Sequence, residues 1–226
     1  MKKILLFLTV ITAVLFAASC QKGVQGPAGP DGEGMLKAEF QQGAFPSSSY
    51  TGCIDTVIDN YMSNTNYGDY TGMYIYTDFG DIRRYLVKFD LSYIPAGSQV
   101  VSAYLEIYSD DHANNPAITP YVVYEAWDEL NATWNQRQSG VSWIEPGGDF
   151  SPSSSGGTVT MTVEGITNKW AINKAVVQDW INNPQDNFGL VFRGNETLSY
   201  WDAYIRTADY AAASSRPKLT VFYIPE

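Results

Sequence analysis

From about residue 35 onward, apolar and polar side chains alternate in short runs separated by clusters of Gly, Asn, Asp and Ser. Alternation at period two puts successive side chains on opposite faces of a strand. Between Ser102 and Tyr108, Ala103, Leu105 and Ile107 fall on one face, and Ser102, Tyr104, Glu106 and Tyr108 on the other. Tyr85, Val87, Phe89 and Leu91 alternate in the same way with Arg84, Leu86, Lys88 and Asp90. Val159, Met161 and Val163 alternate with threonines, Leu190 and Phe192 lead into Arg193, and Leu219, Val221 and Tyr223 form the last apolar run. This pattern predicts an all-β fold over residues 35–226, a jelly-roll-like antiparallel β-sandwich. One segment departs from it. Asn173 is placed to cap a short helix whose Val176, Val177, Trp180 and Ile181 face the sheet, and Asn183-Pro184 ends it.

The start of the chain reads differently. Met1-Lys2-Lys3 precedes an apolar stretch from Ile4 to Ala18, too short to span a bilayer of about 30 Å with ease and of the length of a signal-peptide core. Ala17-Ala18-Ser19-Cys20 resembles a bacterial lipobox, which implies a signal peptide over residues 1–19, cleavage before Cys20 and lipidation of that cysteine. The alternative is an ordinary secretory signal cleaved near Ala18, with Cys20 incidental. Acyl chains at about 0.8 kcal/mol per buried methylene would moor the chain to a bacterial membrane, facing away from the cytoplasm within the cell envelope. Residues 20–34 hold three Gly-X-Y triplets, starting at Gly23, Gly26 and Gly29. So short a collagen-like run does not hold three chains together alone, and it reads as a semi-extended tether. With Cys20 lipidated, Cys53 has no partner within the chain, and a small buried thiol is its expected state.

Composition narrows the chemistry. The chain is 14% aromatic and only 17% charged, unlike a disordered segment. Its net charge of −10 argues against a nucleic-acid partner, and one histidine with two cysteines excludes zinc sites built from several such ligands. There is no Ser nucleophile elbow, no H-E-x-x-H helix and no phosphate loop. Asp110-Asp111, Asp128-Glu129 and the Asp78/Asp81 pair read as solvated turn residues, and His112 as an exposed loop residue, leaving no identifiable pair for glycoside hydrolysis. No catalytic residue is assigned. Acidic turns suit a structural calcium ion, but no D-x-D-x-D-G series names its ligands.

A family resemblance emerges from several motifs in order. Asp55-Thr56-Val57, then Asn64-Thr65-Asn66-Tyr67-Gly68, then the run from Arg84 to Gly97 (RYLVKFDLSYIPAG) and Val101-Ser102-Ala103-Tyr104-Leu105 are similar to the core of the DNRLRE domain. Trp127-Asp128-Glu129, Thr133-Trp134-Asn135, Asn187-Phe188-Gly189-Leu190 and Arg216-Pro217-Lys218-Leu219 follow in the family's order. The hexapeptide that names the family is absent. The resemblance spans roughly residues 55–224 and implies a β-sandwich among whose relatives are carbohydrate-binding modules, including alginate binders.

With Tyr85, Val87 and Phe89 inward, Arg84 and Lys88 share the opposite sheet face. Arg193, Arg206, Tyr104, Tyr108 and Tyr204 on other runs are expected to project likewise, and Trp201, beside Tyr200 in an expected loop, is the one tryptophan suited to a platform. Sugar rings pack on aromatic faces and Arg holds a carboxylate bidentately. These eight residues therefore define a candidate groove for a polysaccharide, with an acidic one such as alginate the first choice. The bland reading is that the charges pair across strands with Glu106, Asp90 or Asp202 while the tyrosines cover a sheet. The functional expectation is a non-catalytic, lipid-anchored carbohydrate-binding protein without a cofactor. A structural or adhesive surface protein that binds protein partners or self-associates is the alternative, and a polysaccharide lyase or hydrolase the third reading. The oligomeric state stays open.

Overall fold

The computed structural model describes residues 34–226. The signal segment, the lipobox with Cys20 and the Gly-X-Y triplets lie outside the described residues. Thirteen strands form the body: β1 (Leu36–Phe40), β2 (Cys53–Asp59), β3 (Gly72–Asp78), β4 (Asp81–Phe89), β5 (Gln99–Ala113), β6 (Ala117–Val122), β7 (Gln136–Gln138), β8 (Val141–Ser142), β9 (Val159–Thr160), β10 (Ile166–Ile172), β11 (Leu190–Arg193), β12 (Tyr200–Arg206) and β13 (Lys218–Ile224). Helix α1 (Lys174–Asn182) follows β10; Asn173 caps it, its side-chain oxygen accepting from the Ala175 N–H at 3.0 Å. Val177, Trp180 and Ile181 are its buried residues, and Val176, expected with them, is partly buried against the same core. No described helix is long and apolar enough to cross a membrane.

The pairing is antiparallel throughout and follows the path β1-β13-β5-β12-β3-β4-β11-β6-β9, with β10 added to β5 and β2 to β4. The result is a jelly-roll-like β-sandwich in a curled sheet. One layer is β1-β13-β5-β10, the other is β2-β4-β11-β6-β9, and β12 and β3 join them at the corner. The long β5 serves both β13 and β12, the change of partner accompanied by a register shift beside Tyr204 and Ile205. The β3–β4 hairpin turns on Phe79 and Gly80, both at positive φ (47° and 105°), a conformation that suits glycine and the right-handed twist of a hairpin.

The inner faces meet in one core. Ala103, Leu105 and Ile107 of β5, Tyr85, Val87 and Phe89 of β4, Leu190 and Phe192 of β11, and Leu219, Val221 and Tyr223 of β13 all belong to it. Trp170 packs edge-on to Phe192 at 5.3 Å between ring centres, and its indole N–H donates to the Ile118 carbonyl at 2.9 Å. Met161 is buried, but Val163, expected on the same inward row, is exposed because β9 ends at Thr160. Cys53 is free and buried among these residues. Asp55, on the inward row of β2, is the most unusual member: burial pushes its carboxyl up to about 8, although hydrogen bonds from Tyr85 and Ala208 oppose that rise.

A second, smaller core covers the outside of the β2-β4-β11 layer. Residues 123–150 leave the sheet after β6, form the β7–β8 ribbon and fold back over it, so that Val123, Trp127, Ala132 and Trp143 pack on Ile58, Leu86 and Val191. The indole N–H groups of Trp127 and Trp143 donate to the carbonyls of Phe188 and Thr133 at 2.8 and 2.9 Å. Leu86, which the alternation puts on the polar side of β4, is fully buried there. We expect Leu86→Ala to lower the unfolding free energy by about 2–5 kcal/mol in urea titration, the range for truncating a buried leucine. A cost below about 0.5 kcal/mol would mean that the outer face of β4 is open to solvent.

Candidate ligand-binding face

The eight sequence-derived candidates do not form one groove; they divide among two faces and the core. Arg84, Lys88 and Arg193 lie on the layer that the second core covers. Arg84 is 9% exposed, and its guanidinium stacks 4.7 Å from the Trp134 ring centre and 5.1 Å from that of Phe150. It donates to both carboxylate oxygens of Glu196 (2.7 and 2.9 Å) and to the Gly147 carbonyl. Gly147 sits at φ 97°, and a β-carbon there would come within 2.6 Å of the Arg84 nitrogen, so the loop closes over Arg84 only with glycine in place. Arg193 shares Glu196 at 3.5 Å and lies beside the Tyr121 and Phe150 rings. Lys88 is half-buried and lines a hollow of about 350 Å³ against Trp180. Arg84 is therefore a buried structural cation, its site sealed by the segment from Trp134 to Phe150. Trp201 also departs from expectation: it sits within β12, 2% exposed, with its indole N–H donating to the Asn195 carbonyl at 2.8 Å, and it presents no ring to solvent.

Tyr104, Tyr108, Tyr204 and Arg206 share the outer face of β5 and β12, where they are half-buried. Lys169 is 3.2 Å from the centre of the Tyr104 ring, and the Tyr108 hydroxyl donates to the Gly165 carbonyl at 2.7 Å. Arg206 lies 4.0 Å from the Tyr108 ring centre and 4.2 Å from that of Tyr210, and it grips Asp110 with two nitrogens at 2.8 and 2.5 Å. Asp110 and Asp111 are strand residues at the β5 irregularity, not turn residues, because β5 runs on to Ala113. His112 is likewise in β5, opposite Ala203, with both ring nitrogens buried. Lys218 pairs with Glu106 at 3.1 Å, so cross-strand pairing occupies much of this face's charge.

Register extends the same face to residues that sequence reading missed. On β12 and β3, Tyr200 stands opposite Asp78, Asp202 opposite Tyr76 and Tyr204 opposite Tyr74, and directly opposed residues share a side. Across the hairpin, Tyr76 faces Arg83 and Asp78 faces Asp81. Tyr74, Tyr76, Asp78, Asp81, Arg83, Tyr200 and Asp202 line a cleft of about 210 Å³. Tyr74 and Tyr200 are 39% and 40% exposed, enough to offer ring surface to a ligand. Tyr74 is braced edge-on by Tyr204, 4.9 Å between centres. Tyr200 donates its hydroxyl to Asp202, a bond that pushes the phenol up to about 12, with burial adding to the rise. Arg83 is anchored beneath, paired to the buried Asp59 and lying 5.0 and 4.9 Å from the Tyr67 and Tyr76 ring centres. The cleft thus combines two rings held by neighbours with several carboxylate acceptors on strands, a rigid mount for a polar ligand.

The alternation Met73, Ile75, Thr77 against Tyr74, Tyr76, Asp78 was the available signal for this face. Glu129 also departs from the reading as a solvated turn residue: it is half-buried, and its carboxylate accepts the Asp55 backbone N–H at 3.0 Å.

Comparison with known proteins adds one positive finding. The model of carbohydrate-binding module family 96 matches residues 46–146, a little under half of the chain. That span holds β2 to β8 and one wall of the cleft, from Tyr74 to Arg83, while Tyr200 and Asp202 lie beyond it. No curated protein matches the chain.

The Arg206–Asp110 pair supplies a pH test of the face's own electrostatics. Hydrogen bonding to Arg206 holds the Asp110 carboxyl below its usual range. A lowered folded-state value gives stability that is present above the unfolded carboxylate value and is lost as pH falls through the folded one. The pair is partly exposed, so Asp110→Asn should cost no more than about 1 kcal/mol near neutral pH. In chemical denaturation the variant and the parent should converge near about pH 2, and a gap that widens there would contradict the assignment.

Proposed function

We propose that the cleft between β3 and β12 is a non-catalytic binding site for a carbohydrate chain. The observation that carries this reading is the cross-strand ladder placing exposed Tyr74 and Tyr200 beside Asp78 and Asp202. The apolar C–H faces of a pyranose stack on phenol rings, and its hydroxyls donate to carboxylate oxygens. The match of residues 46–146 to a carbohydrate-binding module supports the ligand class. Three carboxylates line the cleft, and its one arginine is paired to Asp59. That balance favours a neutral, hydroxyl-rich glycan over an acidic one such as alginate. On this reading the domain stands on the cell envelope, lipid-anchored through Cys20 and spaced from the membrane by the Gly-X-Y tether, and retains polysaccharide there. The sequence of residues 1–34 is the support for the anchor and the tether.

Affinity electrophoresis of the full-length chain in gels containing neutral glucans, xylan or mannan, and in gels containing alginate or pectin, tests the site and the charge preference together. We expect retardation in at least one neutral gel. The double variant Tyr74→Ala, Tyr200→Ala should bind about tenfold or more weakly, since each aromatic contact contributes about 0.5–1.5 kcal/mol beyond its buried area. Its melting temperature should stay close to that of the parent. Undiminished retardation of the double variant, or retardation by the acidic gels alone, would overturn the assignment.

A further inference from the structure

Three carboxylates from distant parts of the chain meet at one end of the β2 layer. Asp55 on β2, Glu129 in the loop leading to β7, and Asp209 in the loop after β12 each bring a carboxylate oxygen within 4.8 Å of the other two. Asp55 is 1% exposed, Glu129 is half-buried and Asp209 opens to solvent. One Asp55 oxygen, Oδ2, accepts from the Tyr85 hydroxyl at 2.6 Å and from the Ala208 N–H at 2.7 Å. The other, Oδ1, is buried with no hydrogen-bond partner. Among the described residues, no lysine or arginine forms an ion pair with any of the three. Ionising three converging carboxyls, one with a dehydrated and unpartnered oxygen, is unfavourable without a counter-charge, and one bound cation supplies it.

We infer that Asp55, Glu129 and Asp209 bind one divalent cation of the calcium class. The donors are hard oxygens, and no imidazole or thiolate belongs to the cluster, which sets it apart from a zinc site. Calcium takes 6–8 oxygens, about 2.3–2.6 Å away, in flexible geometry, so water completes the shell on the open Asp209 side. The surrounding backbone is already fixed. The Asn66 side-chain amide donates to the carbonyls of Glu129 and Ala132 at 2.7 and 2.8 Å, and the Asp55 N–H holds one Glu129 oxygen. The ion ties β2 to both loops and neutralises the carboxylates that fold there. The site is separate from the tyrosine cleft, and the inference does not depend on the carbohydrate reading.

The test uses the full-length chain stripped of metal with a chelator. Calcium titration followed by calorimetry and by thermal unfolding should show one site per chain, half-saturated at or below about 1 mM, with a rising melting temperature. Terbium, a calcium stand-in, should luminesce on tyrosine excitation, because the Tyr85 hydroxyl touches Asp55. Asp55→Asn should abolish both effects. Should that buried variant fail to fold, Asp209→Asn at the solvent side keeps the test open, with half-saturation shifted at least tenfold. No calcium-dependent change in melting temperature, or terbium emission equal in the parent and Asp209→Asn, would overturn the site.

Discussion

From Arg84 to Val87 strand β4 is buried on both sides, and the placement of the accessible surfaces follows from that. Tyr85, Val87 and Phe89 enter the main core, while Leu86 on the other face enters the second core beneath Trp127 and Trp143. That stretch offers no surface of its own, because the chain from Val123 to Phe150 lies over it as a lid, while Asp81 and Arg83 at the start of β4 reach the cleft. The Arg84 cation under this lid needs a partner, because a dehydrated charge is costly when left alone. Glu196, the Gly147 carbonyl and the Trp134 ring supply that partnership. Arg84 becomes the pin of the lid, which removes it from the pool of ligand-binding cations.

The consequence for function is geometric. With β2-β4-β11 covered on the outside, the uncovered side of β5, β12 and β3 carries the accessible tyrosines. Their alternate residues are the core members Trp201, Ala203 and Ile205 on β12 and Met73 and Ile75 on β3, so the rings stand on a packed base. Neighbouring side chains hold them further, Tyr204 against Tyr74 and Asp202 against Tyr200. A surface fixed in this way loses little side-chain freedom when a ligand arrives, which favours binding of a weakly interacting chain such as a polysaccharide.

Much of this fold was legible in the sequence. Period-two alternation located the inward rows of β5, β11 and β13, and the Asn173 cap with its apolar spacing located α1. The same rule gave the wrong environment for Leu86, since alternation identifies which side a residue faces but not whether a distant segment covers that side. Nor does spacing along the chain indicate that Trp127 and Trp143 are what covers it. Tyr204 on the tyrosine face was identified, but Tyr74 and Tyr76 escaped because tyrosine is both apolar and polar: in Met73-Tyr74-Ile75-Tyr76 the two faces look alike on a hydropathy scale. The convergence of Asp55, Glu129 and Asp209 depends on contacts more than seventy residues apart, which no local pattern encodes.

The central question for this domain is which side of the sandwich meets the ligand. Side-chain and backbone chemical shifts, followed by NMR while a retained oligosaccharide is added, test it most directly. Shifts should concentrate at Tyr74, Tyr76, Asp78, Tyr200 and Asp202, with Arg84, Tyr121, Trp134 and Arg193 unmoved. Perturbation centred on that second group, with the tyrosine ladder silent, would contradict it.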